Sequence, residues 1–146
     1  MKIVVDTNIV FSTLLNPYSQ IGEIVMNLQD DFTFFAPELL KEEIDRYSAK
    51  IEQFTKLDKK LIQSVKYLIF DSITFVSEEL ISSNSWNAAY ELTKGVDEDD
   101  TPFIALSIEL QTNLWTGDKK LREGLKTKIP GLIISTEELK IYLSKT

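Results

Sequence analysis

Two rhythms alternate along this chain. Short runs rich in β-branched, aromatic and other apolar residues recur at Ile3-Val4-Val5, Phe32-Thr33-Phe34-Phe35-Ala36, Ile73-Thr74-Phe75-Val76, Thr112-Asn113-Leu114-Trp115 and Gly131-Leu132-Ile133-Ile134. Short continuous apolar runs bounded by polar residues predict strands buried on both faces. Between them apolar residues return every three or four positions, the period of a helix with one buried face. The first run closes on Asp6, and Thr7-Asn8 then leads into a helix-like stretch from Ile9 to Leu15. Ile21, Ile24, Val25 and Leu28 predict a second helix over 20–28, set apart by Pro17. Pro37 is expected to open a helix reaching about Tyr47. Leu57, Leu61, Ile62, Val65, Leu68 and Ile69 predict an amphipathic helix over 57–70, and 86–92 and 102–110 read as two more. Ser135-Thr136-Glu137-Glu138 has the form of a capping box opening a C-terminal helix.

Strands alternating with helices predict an α/β sandwich around a mostly parallel sheet of four or five strands. The 146 residues, 43% of them hydrophobic, are of ordinary single-domain size, and no linker, repeat or low-complexity tract divides them. One domain over 1–146 is expected. No apolar run approaches the length of a membrane span, so a soluble, cytoplasmic protein with no membrane partner is expected.

Two strands stop at a carboxylate. Lys2-Ile3-Val4-Val5 ends at Asp6, and Leu114-Trp115-Thr116-Gly117 ends at Asp118. In open parallel sheets ligands bind outside the carboxyl ends of the strands, so acids far apart in sequence can converge there. Composition narrows the chemistry such a site can host. The chain has neither Cys nor His, which excludes disulfides, thiolate nucleophiles, imidazole bases and most zinc sites. Carboxylate oxygens favour hard divalent ions, Mg²⁺ or Mn²⁺ ahead of Ca²⁺. Metal-assisted hydrolysis is the natural candidate.

The acids differ in what they imply. Asp6 follows the clearest buried strand in the chain; it suits a metal site and equally the cap of the next helix. Thr7, Asn8 and Thr116 can support these carboxylates by hydrogen bonding. Glu42 and Glu43 are adjacent on a predicted helix, so they cannot share a face. Leu40, Ile44, Tyr47 and Ile51 define an apolar stripe with Glu43 at its margin, whereas Glu42 points toward water. Asp97-Glu98-Asp99-Asp100 places four acids before Thr101-Pro102 and an apolar helix, more than one cap can use. An acidic solvated turn would look the same in sequence.

The net charge of −7 argues against a protein that coats nucleic acid through a broad basic surface. A local patch exists nonetheless: Lys119, Lys120, Arg122, Lys126 and Lys128 follow Asp118, with Glu123 as the only acid among them. This is either a solvated helix face or a set of phosphate contacts beside a metal. Trp86, Trp115 and the scattered Phe and Tyr residues are assigned to the core rather than to base stacking, because they do not alternate with basic residues.

Val4-Val5-Asp6-Thr7-Asn8-Ile9-Val10-Phe11 resembles the opening of PIN domains. Ala36 to Ile44, Asp97 to Leu106 and Leu114 to Asp118 match three later segments of that family in order, over nearly the whole chain. The resemblance implies a three-layer α/β/α fold and a Mg²⁺- or Mn²⁺-dependent ribonuclease activity. It also implies kinship with the toxins of toxin–antitoxin pairs, whose partners are an RNA substrate and an antitoxin protein, and it leaves a homodimer open. Asp6, Glu43, Asp100 and Asp118 match the family's acidic site, and Asp97 is a candidate fifth metal ligand. Thr101 departs from a position where Ala is frequent.

The expected reaction is hydrolysis of an RNA phosphodiester by metal-activated water, with Lys119, Lys120 or Arg122 orienting the flanking phosphates. Two rivals stand beside it. Asp6 at the end of the first strand also suits an aspartyl-phosphate phosphatase, although Asn8 occupies the place where that chemistry ordinarily has a second acid. The other is a non-catalytic PIN-like binding module whose acids hold a structural ion.

Overall fold

A computed structural model describes residues 1–28 and 30–145. Its strands are β1 (Lys2–Val5), β2 (Thr33–Pro37), β3 (Ile73–Val76), β4 (Asn113–Trp115) and β5 (Ile133–Ile134). They form one sheet in the order β3-β2-β1-β4-β5, with every neighbouring pair parallel. The helices are α1 (Thr7–Leu15), α2 (Gln20–Asn27), α3 (Leu39–Arg46), α4 (Ser48–Phe54), α5 (Lys59–Ser72), α6 (Ser83–Thr93), α7 (Thr101–Leu110), α8 (Lys119–Leu125) and α9 (Thr136–Ser144). The expected α/β sandwich with a parallel sheet is the fold observed. No described helix is long and apolar enough to cross a membrane.

The central strand is the one with the strongest apolar run. Ile3, Val4 and Val5 are buried, paired on one side with Thr33–Phe35 and on the other with Asn113–Trp115. From β1 the chain builds outward through β2 and β3, then returns to place β4 on the opposite flank. The β1/β4 boundary is therefore the topological switch point, the crevice where open parallel sheets bind ligands. Asp6 and Asp118 flank it.

Helix α7 packs directly on β1, β2 and β4 and against α6, while α1 packs with α2 through α5. That burial explains why α7 reads as almost wholly apolar: Phe103, Ile104, Ala105 and Leu106 are all buried. Its two hydroxyls are matched internally, Ser107 Oγ donating to Phe103 O and Thr101 Oγ1 lying 2.7 Å from Thr93 Oγ1. The departure at Thr101 thus has a built-in partner.

Local differences from the sequence reading have physical causes. Pro37 does not open α3; it ends β2, opposite Val76, and the helix starts at Leu39. The capping group comes from outside, since Glu78 Oε1 accepts from Leu39 N at 2.7 Å, a contact no local pattern announces. Residues 48–54 form a separate helix, α4, after a break at Tyr47. The proposed apolar stripe therefore divides: Leu40, Ile44 and Ile51 are buried, but Tyr47 is 45% exposed. The capping box at Ser135 is present, with Glu138 N donating to Ser135 Oγ and Ser135 N to Glu138 Oε1.

Candidate active site

Asp6 is a buried carboxylate that begins α1 and is held on both oxygens. Oδ1 accepts from Thr7 N at 2.7 Å; Oδ2 accepts from Thr116 Oγ1 at 2.6 Å and from Asn8 Nδ2 at 3.3 Å. Thr116 is the hub of this network. Its hydroxyl oxygen also accepts from Asn8 Nδ2 and from Asp118 N, so one side chain ties the end of β1 to the end of β4. Asn8 closes the loop by accepting from Gly117 N. Asp6 caps α1 and also lines the cleft.

Asp118 caps α8 through Oδ1, which accepts from Leu121 N at 3.2 Å. Asp100 stands at the same position before α7 yet makes no capping hydrogen bond. Its Oδ2 is buried with no partner, as is Oε1 of Glu43 one wall away. Thr7 Oγ1 is the third such atom. A buried polar oxygen without a partner costs on the order of 1–3 kcal/mol, so such atoms are rare without a cause. Here all three belong to residues lining one cleft of about 260 Å³, together with Asp6, Asn8, Phe11, Tyr47, Lys50 and Asp118.

The protonation of the acids follows from their crowding. Burial pushes the Asp6 carboxyl up to about 6, opposed by the hydrogen bonds from Thr116 and Thr7. Asp100 rises to about 8, first by burial and then through repulsion from Asp6, Asp97, Asp118 and Glu43. Glu43 is raised by burial and by the charge of Asp6; the Thr7 hydroxyl softens that rise without completing a hydrogen bond to it. Among the described residues no Lys or Arg ion-pairs with these acids, the one salt bridge being Lys66–Asp45. Oxygens of Asp97, Asp100 and Asp118 lie within 4.8 Å of one another. Concentrated negative charge with partnerless oxygens, and without imidazole or thiolate, is a donor set that fits a hard divalent cation.

The PIN-domain family model matches residues 4–144. The chain belongs to the PIN-domain family. An uncharacterized protein of Methanocaldococcus jannaschii is 27% identical over 124 residues, covering 83% of this chain and 73% of that relative. Among solved structures, a chain of VapBC2 from Rickettsia felis, bound to a DNA fragment from their promoter, superposes with a TM-score of 0.65 at 15% identity. The match covers 92% of this chain and 98% of that one. The likeness is one of fold.

In this PIN domain the acids proposed from sequence fall in two overlapping groups. Asp6, Glu43, Asp100 and Asp118 line the cleft, and Asp97 joins Asp100 and Asp118 beside it. Of the adjacent pair, Glu42 is exposed and Glu43 is half-buried and lines the cleft. The acidic quartet divides likewise: Asp97 and Asp100 are half-buried, Glu98 and Asp99 exposed. Asp97 has a structural task as well, accepting from Asp99 N.

The basic patch sits apart. Lys119 and Lys120 are exposed at the start of α8, and Arg122 lines a separate depression with Lys126 and Ile129; none of the three lines the acidic cleft. Trp115 is fully buried, in keeping with its assignment to the core. The sequence reading missed Phe11, Tyr47 and Lys50. The signal for two of them was present, since Phe11 follows Thr7 and Tyr47 follows Glu43 by four residues, the spacing that puts helical side chains on one face.

Proposed function

We propose that this chain is a divalent-metal-dependent endoribonuclease and the toxin of a toxin–antitoxin pair. What carries the reading is the pair of buried, partnerless oxygens, Glu43 Oε1 and Asp100 Oδ2, in a cleft walled by two further aspartates. Membership of the PIN-domain family and the likeness to a chain of a VapBC2 complex support it. Mg²⁺ or Mn²⁺ would be held by Asp6, Glu43, Asp100 and Asp118, with Asp97 at the margin beside Asp100 and Asp118. The chemistry supplied there by a bound cation would be the acidification of water and the neutralisation of charge developing on the scissile phosphate.

The chain's own groups have definite tasks in this reaction. Thr116, Asn8 and the Thr7 amide fix the rotamer of Asp6, so that its remaining acceptor capacity points at one place. Glu43 is carried to the cleft by α3, whose start is pinned through Leu39 to Glu78. Asp100 must give up its proton for the full donor set to form, which links cation binding to pH. No side chain needs to become covalently attached to the substrate. Lys119, Lys120 and Arg122 on α8, outside the cleft, are the proposed contacts to phosphates further along the strand, giving salt-sensitive binding with little base readout.

The partners that go with this activity are an RNA substrate and a neutralising antitoxin. Cleavage mapping of total RNA with wild-type and Asp6→Asn proteins in Mn²⁺ tests the reaction and the site together. Discrete cleavage by the wild type and none by Asp6→Asn is the expected result. Equal cleavage by both removes the mechanism, and tight metal binding without cleavage favours a binding module with a structural ion.

A further inference from the structure

Beside the carboxylates, the cleft has a lining of different chemistry. Phe11, Tyr47 and Lys50 line the same opening as Asp6, Glu43 and Asp100. Phe11 and Tyr47 meet edge to face, with ring centroids 5.8 Å apart and planes at 72°. Lys50 Nζ stands 5.9 Å from the centroid of the Phe11 ring. Tyr47 is 45% exposed and is not part of the core.

Two helices repeat one design. On α1, Thr7 faces the acids and Phe11 follows four residues later; α3 offers Glu43, and Tyr47 follows at its end, again four residues on. A separation of four residues in a helix advances about 6 Å along its axis. Each element thus presents a polar group to the acidic end and an aromatic ring about one turn further on, a step on the scale of one nucleotide. The break between α3 and α4 at Tyr47 then brings Lys50 to the same wall.

We propose that Phe11, Tyr47 and Lys50 form the nucleotide subsite adjoining the carboxylates, in which an unstacked base of single-stranded RNA lies against the Tyr47 ring and Lys50 pairs with a neighbouring backbone phosphate. This rests on the nuclease reading and adds to it the side chains that hold the nucleotide next to the reacting phosphate. An edge-to-face contact covers at most one face of each ring, so Phe11 supports Tyr47 while leaving it a face for a base. Aromatic faces accept any base, and a cation beside them tracks the backbone, the combination by which single strands are held without sequence readout. Lys50 is also the only cation lining the acidic cleft among the described residues, so a phosphate there meets positive charge next to four carboxylates that would otherwise repel it. A base within a duplex is stacked on both faces and has no face to offer Tyr47.

Short oligoribonucleotides, single-stranded and annealed to a complement, provide the test, with both cleavage in Mn²⁺ and binding by fluorescence anisotropy measured for wild type, Tyr47→Ala, Tyr47→Phe and Lys50→Gln. The expected result is preference for the single strand, a rise of about tenfold in KM and Kd for Tyr47→Ala, and recovery in Tyr47→Phe. The loss falls in KM rather than kcat, because the contact is made before and during reaction alike. Lys50→Gln lowers the slope of log Kd against log salt by about 0.7, the share of one phosphate contact. Wild-type affinity and salt slope in both Tyr47→Ala and Lys50→Gln, or equal handling of duplex and single strand, overturns the subsite. Binding that depends on Tyr47 and Lys50 in a protein that cleaves nothing keeps the subsite and removes the nuclease reading instead.

Discussion

Thr116 Oγ1 donates a 2.6 Å hydrogen bond to Asp6 Oδ2 across 110 residues of chain. That bond joins the two strands of the switch point at the atoms that face the cleft. It also holds the Asp6 proton affinity below what burial alone would set. Thr116→Val keeps the shape of the side chain but leaves Asp118 N without its acceptor and Asn8 Nδ2 with Asp6 Oδ2 alone, so a loss of about 1–3 kcal/mol is expected in denaturant unfolding. Cation affinity, measured by calorimetry, should fall as well, because Asp6 loses its orienting donor; Thr116→Ser should retain most of both.

The crowded acids make the cation-free protein weaker as pH rises. The raised groups, Asp6 at about 6 and Asp100 at about 8, bind protons more tightly folded than unfolded, where both lie near 3.8. Their contribution is therefore fully present below about pH 4 and lost as pH climbs through 6 and 8. Thermal unfolding in EDTA from pH 5 to 8.5 checks this; a melting temperature that rises across that window through these groups contradicts it.

Asp100→Asn should raise the stability of the cation-free protein at pH 8 by about 1–2 kcal/mol, since it removes one of several mutually repelling charges from a site that makes no capping hydrogen bond with it. The same change should abolish the stabilisation given by Mn²⁺. For the wild type, free cation at a hundredfold excess over Kd adds about 2.7 kcal/mol, a shift on the order of 5–10 °C at this chain length. Scanning both proteins with EDTA and with Mn²⁺ separates the two effects.

Glu42 and Glu43 offer an internal control. Glu43→Gln removes a half-buried carboxylate with a partnerless oxygen and should reduce cation-dependent cleavage at least tenfold. Glu42→Gln, on the exposed side of the same helix, should leave cleavage and melting temperature unchanged within error.

The strands were legible because β1 through β4 are continuous apolar runs, and a sheet buried on both faces has no polar alternation to obscure them. Asp6 and Asp118 were singled out for a related reason, since each closes a segment that begins as such a run. Pro37 misled because its fixed φ serves the end of a strand as well as the first turn of a helix, and the group that starts α3, Glu78, lies 39 residues away. The aromatic wall stayed hidden for another reason. Tyr47 follows Ile44 by three residues and Glu43 by four, so its spacing suits the buried stripe as well as the cleft face.

β5 contributes just Ile133 and Ile134, paired with Leu114 and Trp115, and it forms one margin of the sheet. Its amides should exchange with deuterium well before those of β1, and the C-terminal helix, tied in by Trp115 Nε1 to Thr136 Oγ1, should loosen with it. Asp118 lies in the segment between β4 and that seam, whereas Asp6 directly follows the central strand, which is paired on both sides. Fraying at the far margin would therefore draw one carboxylate away while its neighbour across the crevice stayed in place, making the integrity of the last two-residue strand a throttle on how often the full quartet of acids is assembled.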